Sequence, residues 1–179
     1  IGPSLIDEIS PGLIQTSVGA VVSTVLEAEM KWPNDILNRK GQKMGGILIE
    51  SSNNEDGGIR IGIGINRFGF SVGNEILACG WEETLGDVDA EEVFNKIDRG
   101  ISSIFEKKDF VSLPSNSSLV NKSWVSLSKT LSRGVTVGFG NEVVRPSGLN
   151  HLGELRVTGG NIGNADIGDM DIIEWLGYK

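Results

Sequence analysis

The apolar residues of the N-terminal stretch recur three and four positions apart, which is the spacing of one face of an α-helix. Ser10 followed by Pro11 is a typical helix start, because the serine hydroxyl caps the first turn and proline suits the first helical position. The pattern predicts a helix from Ser10 to about Glu29 that packs on a sheet through Leu13, Ile14, Val18, Val21, Val22, Val25 and Leu26.

Two later stretches have the patterns of β-strands. Between Ile59 and Asn66 every second side chain is apolar, and a period of two is that of a strand. The run 43–50 is too short for a stable helix and apolar enough for a buried strand. Polar residues at 38–42 predict a chain reversal before the strand at 43–50. Polar residues at 51–58 predict a loop between this strand and the one that begins at Ile59.

A turn is predicted where a short apolar approach ends at Lys31 and Trp32. Pro33 cannot continue a helix or donate to a sheet ladder, so it forces the chain to change direction. That turn presents Asn34 and Asp35.

The middle of the chain predicts one strong helix and one weak helix. The strong helix opens with Asp89 and Glu92, which resemble a capping box, and ends near Lys107. We expect its apolar face to pack in the core through Val93, Phe94, Ile97, Ile101, Ile104 and Phe105. The weaker helix is predicted at 114–125, and residues 67–74 are predicted to form a loop.

Beyond Leu127 the sequence changes to short β-rich runs separated by glycines. These runs, at 134–139, 142–145, 154–157 and 171–175, predict four or five strands of a small barrel or sandwich. We therefore divide the chain into domains 1–126 and 127–179.

Composition narrows the class of protein. With 179 residues, 39% hydrophobic and 22% charged, the chain resembles an ordinary globular protein that buries a substantial core. Its net charge of −8 argues against a nucleic-acid footprint. No apolar run reaches the roughly 20 residues that cross a bilayer, so we expect no membrane contact. The single cysteine, Cys79, fits a reducing interior, and we predict a cytoplasmic protein.

Three motifs follow one another between Lys31 and Asn66. They are KWPND at 31–35, K-x-GGIL-x-E at 43–50 and G-x-GIN at 62–66. In this order and with these loop lengths, they resemble the catalytic core of biotin protein ligases. The resemblance implies an α/β fold, a mixed sheet with packed helices, followed by a small SH3-like β-barrel.

The resemblance also implies roles for individual residues. Lys43 matches a lysine that contacts both the biotin carboxylate and the phosphate, and Lys31 matches one that faces the phosphates. Asp35 matches the catalytic aspartate of KWPND, and Asn66 matches an asparagine at the adenylate. Biotin, ATP and Mg²⁺ are the implied substrates and cofactor, and no protein side chain is assigned as a metal ligand. The remaining binding candidates are Trp32, Asn34, Gly45 and Gly46.

The chemistry of such a ligase requires these residue types. Joining a carboxylate to the α-phosphate of ATP crowds anionic oxygens together, so nearby cations stabilise the transition state. The acceptor lysine must then attack as a neutral amine, although a free lysine has a pKa near 10.4. A carboxylate beside the incoming ammonium can orient it and take its proton, which is the role we assign to Asp35.

Each candidate also has a purely structural interpretation. Lysines at strand ends are commonly solvated, and Asp35 suits an Asx turn after Pro33. Glycines allow a ligand to approach the backbone, but Gly62 and Gly64 fit packing beneath a helix equally well. Trp32 either lines the binding site or packs in the hydrophobic core.

Two potentially reactive residues are interpreted as structural. Cys79 has small or apolar neighbours and no histidine close in sequence, so we expect a buried thiol. His151 is the only histidine and lies in a predicted turn without other metal ligands beside it.

The chain departs from the ligase pattern upstream of KWPND. Biotin protein ligases carry there a serine-threonine-asparagine turn and a loop of the form GRGRxGRxW, and neither occurs between Ile1 and Met30. We expect the chain to be a portion of a full ligase or to receive the missing half from a second chain.

Three functions follow from this pattern. The first is ATP-dependent attachment of biotin to a lysine of a biotin carboxyl carrier domain through biotinyl-5′-adenylate. The second is lipoate or octanoate attachment by the same superfamily, which the tryptophan and proline of KWPND disfavour. The third is a non-catalytic partner subunit. A homodimer is a further option.

Overall fold

The computed structural model describes residues 9–52, 58–73, 75–106, 124–132 and 136–176. The first helix, α1 (Pro11–Val25), starts as predicted: the Ser10 hydroxyl accepts a hydrogen bond of 3.1 Å from the Leu13 N–H. It ends four residues earlier than expected because Glu27 adopts a φ of 51° and the chain reverses. Strand pairing then begins at Glu29.

The first sheet has four antiparallel strands in the order β1-β2-β3-β4. They are β1 (Glu29–Lys31), β2 (Asp35–Leu37), β3 (Lys43–Ser52) and β4 (Gly58–Ile65). The turn between β2 and β3 is held by the Asn38 side chain, whose oxygen accepts from the N–H groups of Lys40 and Gln42 at 3.0 Å each. Both long strands match their predicted positions, and residues 53–57 of the predicted loop lie outside the described residues.

Helix α1 covers one face of this sheet. A Cβ placed on Gly19 of the helix would overlap the Met30 side chain and lie 3.4 Å from Ile47 Cδ1. Met30, Ile36 and Ile47 are all buried beneath it. The predicted packing of the helix on the sheet is therefore confirmed, although Val21 of the stripe is only half-buried and faces Gly100 of the second long helix.

The segment after β4 corrects one expectation. Residues 67–74 were predicted as a loop, but β5 (Phe70–Val72) pairs there with β6 (Glu75–Ala78) in a two-stranded hairpin. A short helix, α2 (Glu82–Leu85), follows. Asn74 lies outside the described residues.

The second long helix, α3 (Ala90–Glu106), packs on α1, and the two approach closely where Gly100 faces Val21. Val93 and Ile97 are buried as predicted. Phe94 was wrongly assigned to the core: it is 52% exposed and contacts the Trp81 ring edge-on. A helix advances about 100° per residue, so the position after Val93 turns toward the edge of the buried stripe.

The C-terminal part is β-rich, as predicted. After helical residues at 124–127 and α4 (Lys129–Ser132), five antiparallel strands form a sheet in the order β10-β9-β8-β7-β11. They are β7 (Thr136–Phe139), β8 (Glu142–Leu149), β9 (Leu155–Gly159), β10 (Gly163–Ile167) and β11 (Ile173–Leu176). Strand β10 escaped prediction because its sequence, GNADI, has the composition of a turn.

The predicted boundary between residues 126 and 127 is flanked by buried residues, although Val125 and Ser126 themselves are exposed. Trp124, Ser128 and Lys129 are each at most 2% exposed, and a parallel bridge joins Ser128 to Met30. The weaker helix predicted at 114–125 lies almost entirely outside the described residues. In the part of the chain that the structure describes, no helix is both long and apolar enough to span a membrane.

Candidate functional site

Strand register builds a row of four residues across the first sheet. Lys31 lies opposite Asp35, Asp35 opposite Gly46, and Gly46 opposite Gly64. Directly paired residues of antiparallel strands point to the same face of a sheet. The row therefore lies on the face opposite α1, and we call this the open face.

The neighbouring row faces the helix. Its members are Met30, Ile36, Gly45 and Ile65, paired in the same way. Alternation along the strands thus places the charged residues of the first row on one side of the sheet and the apolar side chains of the second row on the other.

Two lysines share the carboxylate of Asp35. Lys43 Nζ is 2.6 Å from Asp35 Oδ1, and Lys31 Nζ is 3.4 Å from Oδ2. The Asp35 side chain is 19% exposed and that of Lys31 is 22% exposed, whereas that of Lys43 is 55% exposed. Since an ammonium has three N–H donors, Lys43 keeps donors for a ligand while it binds Asp35. Two cations and one carboxylate leave a net positive charge in a chain of net charge −8.

The adjacent glycines Gly45 and Gly46 have different reasons to be glycine. A Cβ on Gly45 would meet the Gly64 carbonyl oxygen and lie 3.2 Å from Ile65 Cα. Close packing of β3 against β4 therefore requires glycine at position 45, and the role of Gly45 in ligand approach stays a prediction. A Cβ on Gly46 would make only ordinary contacts, the nearest at 3.6 Å, and one on Gly64 would lie 4.0 Å from the Gly46 carbonyl oxygen.

Gly46 and Gly64 therefore form a bare strip of backbone beside Asp35. This strip is on the open face, so Gly64 does not pack beneath a helix, which was the alternative at sequence level. Its flatness allows a ligand to approach the main chain closely.

Asn66 is joined to the backbone beside Lys43. Its N–H donates to the Met44 carbonyl at 2.9 Å, and its side-chain Nδ2 donates to the Cys79 carbonyl at 3.3 Å. The Cys79 N–H in turn donates to the Lys43 carbonyl at 2.9 Å, and the Trp81 N–H to the Asn66 carbonyl at 3.0 Å. Residues 79–81 thus link two predicted site residues, but the side-chain amide of Asn66 binds Cys79 rather than Lys43 or Asp35.

Trp32 and Asn34 flank the row without joining it. Trp32 is buried; its indole N–H donates to the Gly153 carbonyl at 3.0 Å, and its ring lies 6.5 Å from that of Trp175. Of the two alternatives, the core interpretation describes it better. The Asn34 carbonyl accepts from the Ile47 N–H at 3.0 Å, so the Asn34 backbone braces the turn; the role of its side chain in binding stays a prediction.

No local sequence pattern marks Trp175 as a site residue. It reaches the site from β11. Its ring centroid lies 5.4 Å from Lys31 Nζ, within the range of a cation–π contact. The residue lies more than a hundred positions from KWPND, and only the packing of the C-terminal sheet brings it there.

Cys79 is fully buried, as expected, and its thiol donates to the Gln42 carbonyl at 3.3 Å. Burial raises the pKa of this thiol because it disfavours the thiolate. His151 is exposed in the turn after β8. Among the described residues, no three His, Cys, Asp or Glu side chains converge as metal ligands would.

A hollow of about 460 Å³ lies on the other side of the first sheet, between the start of α1 and the C-terminal loops. Trp32, Pro33, Ile49, Leu152 and Met170 are among its lining residues. Ile49 belongs to the helix-covered face, so this hollow is separate from the row.

No family model matches the chain. Among solved structures, the biotin protein ligase from Aquifex aeolicus in complex with biotin and ATP resembles it with a TM-score of 0.73 at 25% identity, covering 98% of this chain and 75% of that chain. The biotin protein ligase from Leishmania major in complex with biotinyl-5-AMP has a TM-score of 0.54 at 21% identity, covering 94% and 76%.

A biotin protein ligase-like protein of unknown function from Silicibacter sp. is also similar, with a TM-score of 0.69 at 12% identity and coverage of 93% and 75%. These matches cover nearly the whole chain. The chain therefore has a biotin protein ligase-like fold.

Proposed function

We propose that the open face binds biotin and ATP, forms biotinyl-5′-adenylate and transfers the biotinyl group to a lysine of a biotin carrier domain. The observation that carries this proposal is the Lys43–Asp35–Lys31 cluster, which lies beside the bare glycine strip. The similar ligases from Aquifex aeolicus and Leishmania major, in complex with biotin and ATP or with biotinyl-5-AMP, support it.

In the first step, a carboxylate oxygen of biotin attacks the α-phosphorus of ATP, and pyrophosphate leaves. Negative charge gathers on the oxygens around that phosphorus. Lys43 can offer its remaining N–H donors to them, because its ammonium projects from the open face while Asp35 restrains its direction. Removing a preorganised donor of this kind typically slows a reaction by about 10² to 10³-fold.

In the second step, the acceptor lysine attacks the acyl carbon, an amide forms and AMP leaves. Asp35 is the carboxylate we assign to orient this amine and take its proton. Its position in a shallow, partly exposed row leaves room for a long side chain to reach it. The acceptor lysine would approach past the glycine strip, where no side chain projects.

Magnesium enters this proposal with ATP. Mg²⁺ usually binds through one or two carboxylates and substrate phosphates and keeps several waters. Asp35 is already bound by two ammonium groups, and the described residues contain no carboxylate cluster. We therefore expect the phosphates of ATP and water molecules, rather than protein carboxylates, to supply most of the oxygen ligands of Mg²⁺.

The test supplies the intact protein with Mg²⁺, ATP and radiolabelled biotin, lipoate or octanoate in parallel reactions. Products are separated into acyl-adenylate and labelled carrier domain. A carrier domain whose acceptor lysine is replaced by arginine is the matched control for transfer.

We expect biotinyl-adenylate and labelled wild-type carrier, with no label on the control carrier. Labelling from lipoate or octanoate but not biotin would replace the substrate assignment. Absence of every adenylate, also when an upstream ligase segment is added in trans, would leave the non-catalytic subunit as the remaining interpretation.

A further inference from the structure

We propose that Trp175 is a positioning residue for the reaction on the open face, acting through Lys31. This inference rests on the proposed function. The contact that carries it is the Trp175 ring 5.4 Å from Lys31 Nζ, while the same ammonium lies 3.4 Å from Asp35 Oδ2.

Trp175 is itself held in place from two sides. In the C-terminal sheet it pairs with Val137, which is fully buried. On the other side its ring contacts the Trp32 ring, and the Trp32 indole is anchored on the Gly153 carbonyl. The C-terminal sheet thus presents a fixed aromatic face to Lys31.

This arrangement restricts the Lys31 ammonium to the space between a carboxylate and a ring. A cation over an aromatic face is attracted by the ring quadrupole, most strongly for tryptophan and when water is partly excluded. The Lys31 side chain is only 22% exposed, so water is partly excluded there. With Oδ2 held by Lys31, the Asp35 carboxylate keeps Oδ1 turned toward Lys43.

The consequence is a coupling between the C-terminal sheet and the proposed base. Trp175 contacts Lys31 and Lys31 contacts Asp35, so the ring acts on the carboxylate by restraining Lys31. Loss of the ring would let Lys31 move and the carboxylate rotate. The effect would appear in kcat for biotinyl transfer, with the KM for biotin changed by no more than about twofold.

The experiment is a double-mutant cycle on kcat with Trp175→Leu, Lys31→Met and the double variant. Each single variant is expected to lower kcat about tenfold, in the range that a partly desolvated cation–π contact supports. The double variant should be no slower than Lys31→Met alone, because the ring acts only through that ammonium. Trp175→Phe, which keeps an aromatic face, should recover most of the rate.

The proposal would be overturned if the fold losses in kcat of the two single variants multiplied in the double variant. An unchanged kcat in Trp175→Leu would also overturn it. If Trp175→Leu does not fold, the same cycle is run with Trp175→Phe, for which a smaller loss of about threefold should again vanish in the Lys31→Met background.

A second measurement separates this inference from the proposed function. The indole N–H resonance of Trp175, identified by its absence from the Trp175→Phe spectrum, should shift in Lys31→Met. It should not shift in Lys96→Met, which removes an exposed lysine of α3. If the wild-type protein makes no adenylate, the proposed function fails, and a Trp175 resonance insensitive to Lys31→Met would in addition overturn the contact itself.

Discussion

The two faces of the four-stranded sheet are built from the same strands but have opposite compositions. The helix-covered face carries Met30, Ile36 and Ile47, all at most 1% exposed. The open face carries Lys31, Asp35, Gly46 and Gly64 at paired positions, and the Lys43 side chain reaches Asp35 from β3. Buried apolar area stabilises the fold by about 25 cal/mol per Å², whereas exposed ion pairs contribute little. Strand alternation therefore separates the apolar residues that stabilise the fold from the charged residues of the proposed site.

Gly45 and Gly46 are adjacent in β3 but lie in the rows of opposite sheet faces. Gly45 is required by the close approach of β4, whereas Gly46 leaves backbone bare beside Asp35. One glycine serves packing and the other serves the open face.

The largest expected effect is that of Lys43→Met on adenylate formation. Removal of the ammonium should slow this step at least about 100-fold, because a preorganised donor to the developing charge is lost. The free energy of unfolding should fall by less than about 1 kcal/mol, since the side chain is 55% exposed and its ion pair is partly solvated. Single-turnover kinetics and urea unfolding measure the two quantities.

Lys96→Met is the matched control, because Lys96 is similarly exposed and also forms an ion pair. It should change neither quantity appreciably. Equal losses of stability and activity in Lys43→Met would make Lys43 a structural residue and break the comparison between the faces.

The next effect is a difference in stability between two alanine substitutions. Gly45→Ala should lower the free energy of unfolding by about 1–3 kcal/mol, because its Cβ meets the backbone of β4. Gly46→Ala should leave it unchanged or raise it by up to about 1 kcal/mol, because glycine in a strand is entropically unfavourable. Urea unfolding of both variants provides the measurement. Similar losses in the two variants would mean that both glycines serve packing.

The smallest expected effect is the pH dependence that Cys79 contributes. Its pKa is raised in the folded state by burial, so the folded protein retains a proton that the unfolded chain loses. The contribution is complete below the ordinary thiol pKa of about 8.5 and is lost as the pH rises through the raised pKa. Between pH 7 and 9.5, wild-type stability should therefore decline more steeply than that of Cys79→Ala. Equal declines of stability with pH in the two proteins would show that burial does not raise the pKa of the Cys79 thiol.

Much of the scaffold was predictable from local pattern. The Ser10–Pro11 cap, the α1 stripe and the period-two run of β4 are signals contained within single elements. The hairpin at Phe70–Val72 was missed because its glycine, serine and asparagine content resembles that of a loop. Phe94 was misplaced because a one-residue offset in a helix changes which face a side chain occupies.

The site was predictable only in part, for a related reason. KWPND and K-x-GGIL identified Lys31, Asp35 and Lys43 by resemblance, and the structure brings these three together. The distinction between Gly45 and Gly46 depends on register and on the distance between strands, which no local pattern contains. Trp175 depends on tertiary packing of a distant strand.

The most direct test of the account is a calorimetric titration of the protein with a non-hydrolysable biotinyl-adenylate analogue. Wild-type protein and Arg60→Leu, a change on the same face of β4 but away from the row, should bind the analogue with similar affinity. Gly64→Leu should remain folded, because a Cβ at this position meets no neighbouring atom closer than 4.0 Å, yet bind at least about tenfold more weakly by covering the glycine strip. Undiminished binding by folded Gly64→Leu would contradict the assignment of the open face as the ligand site.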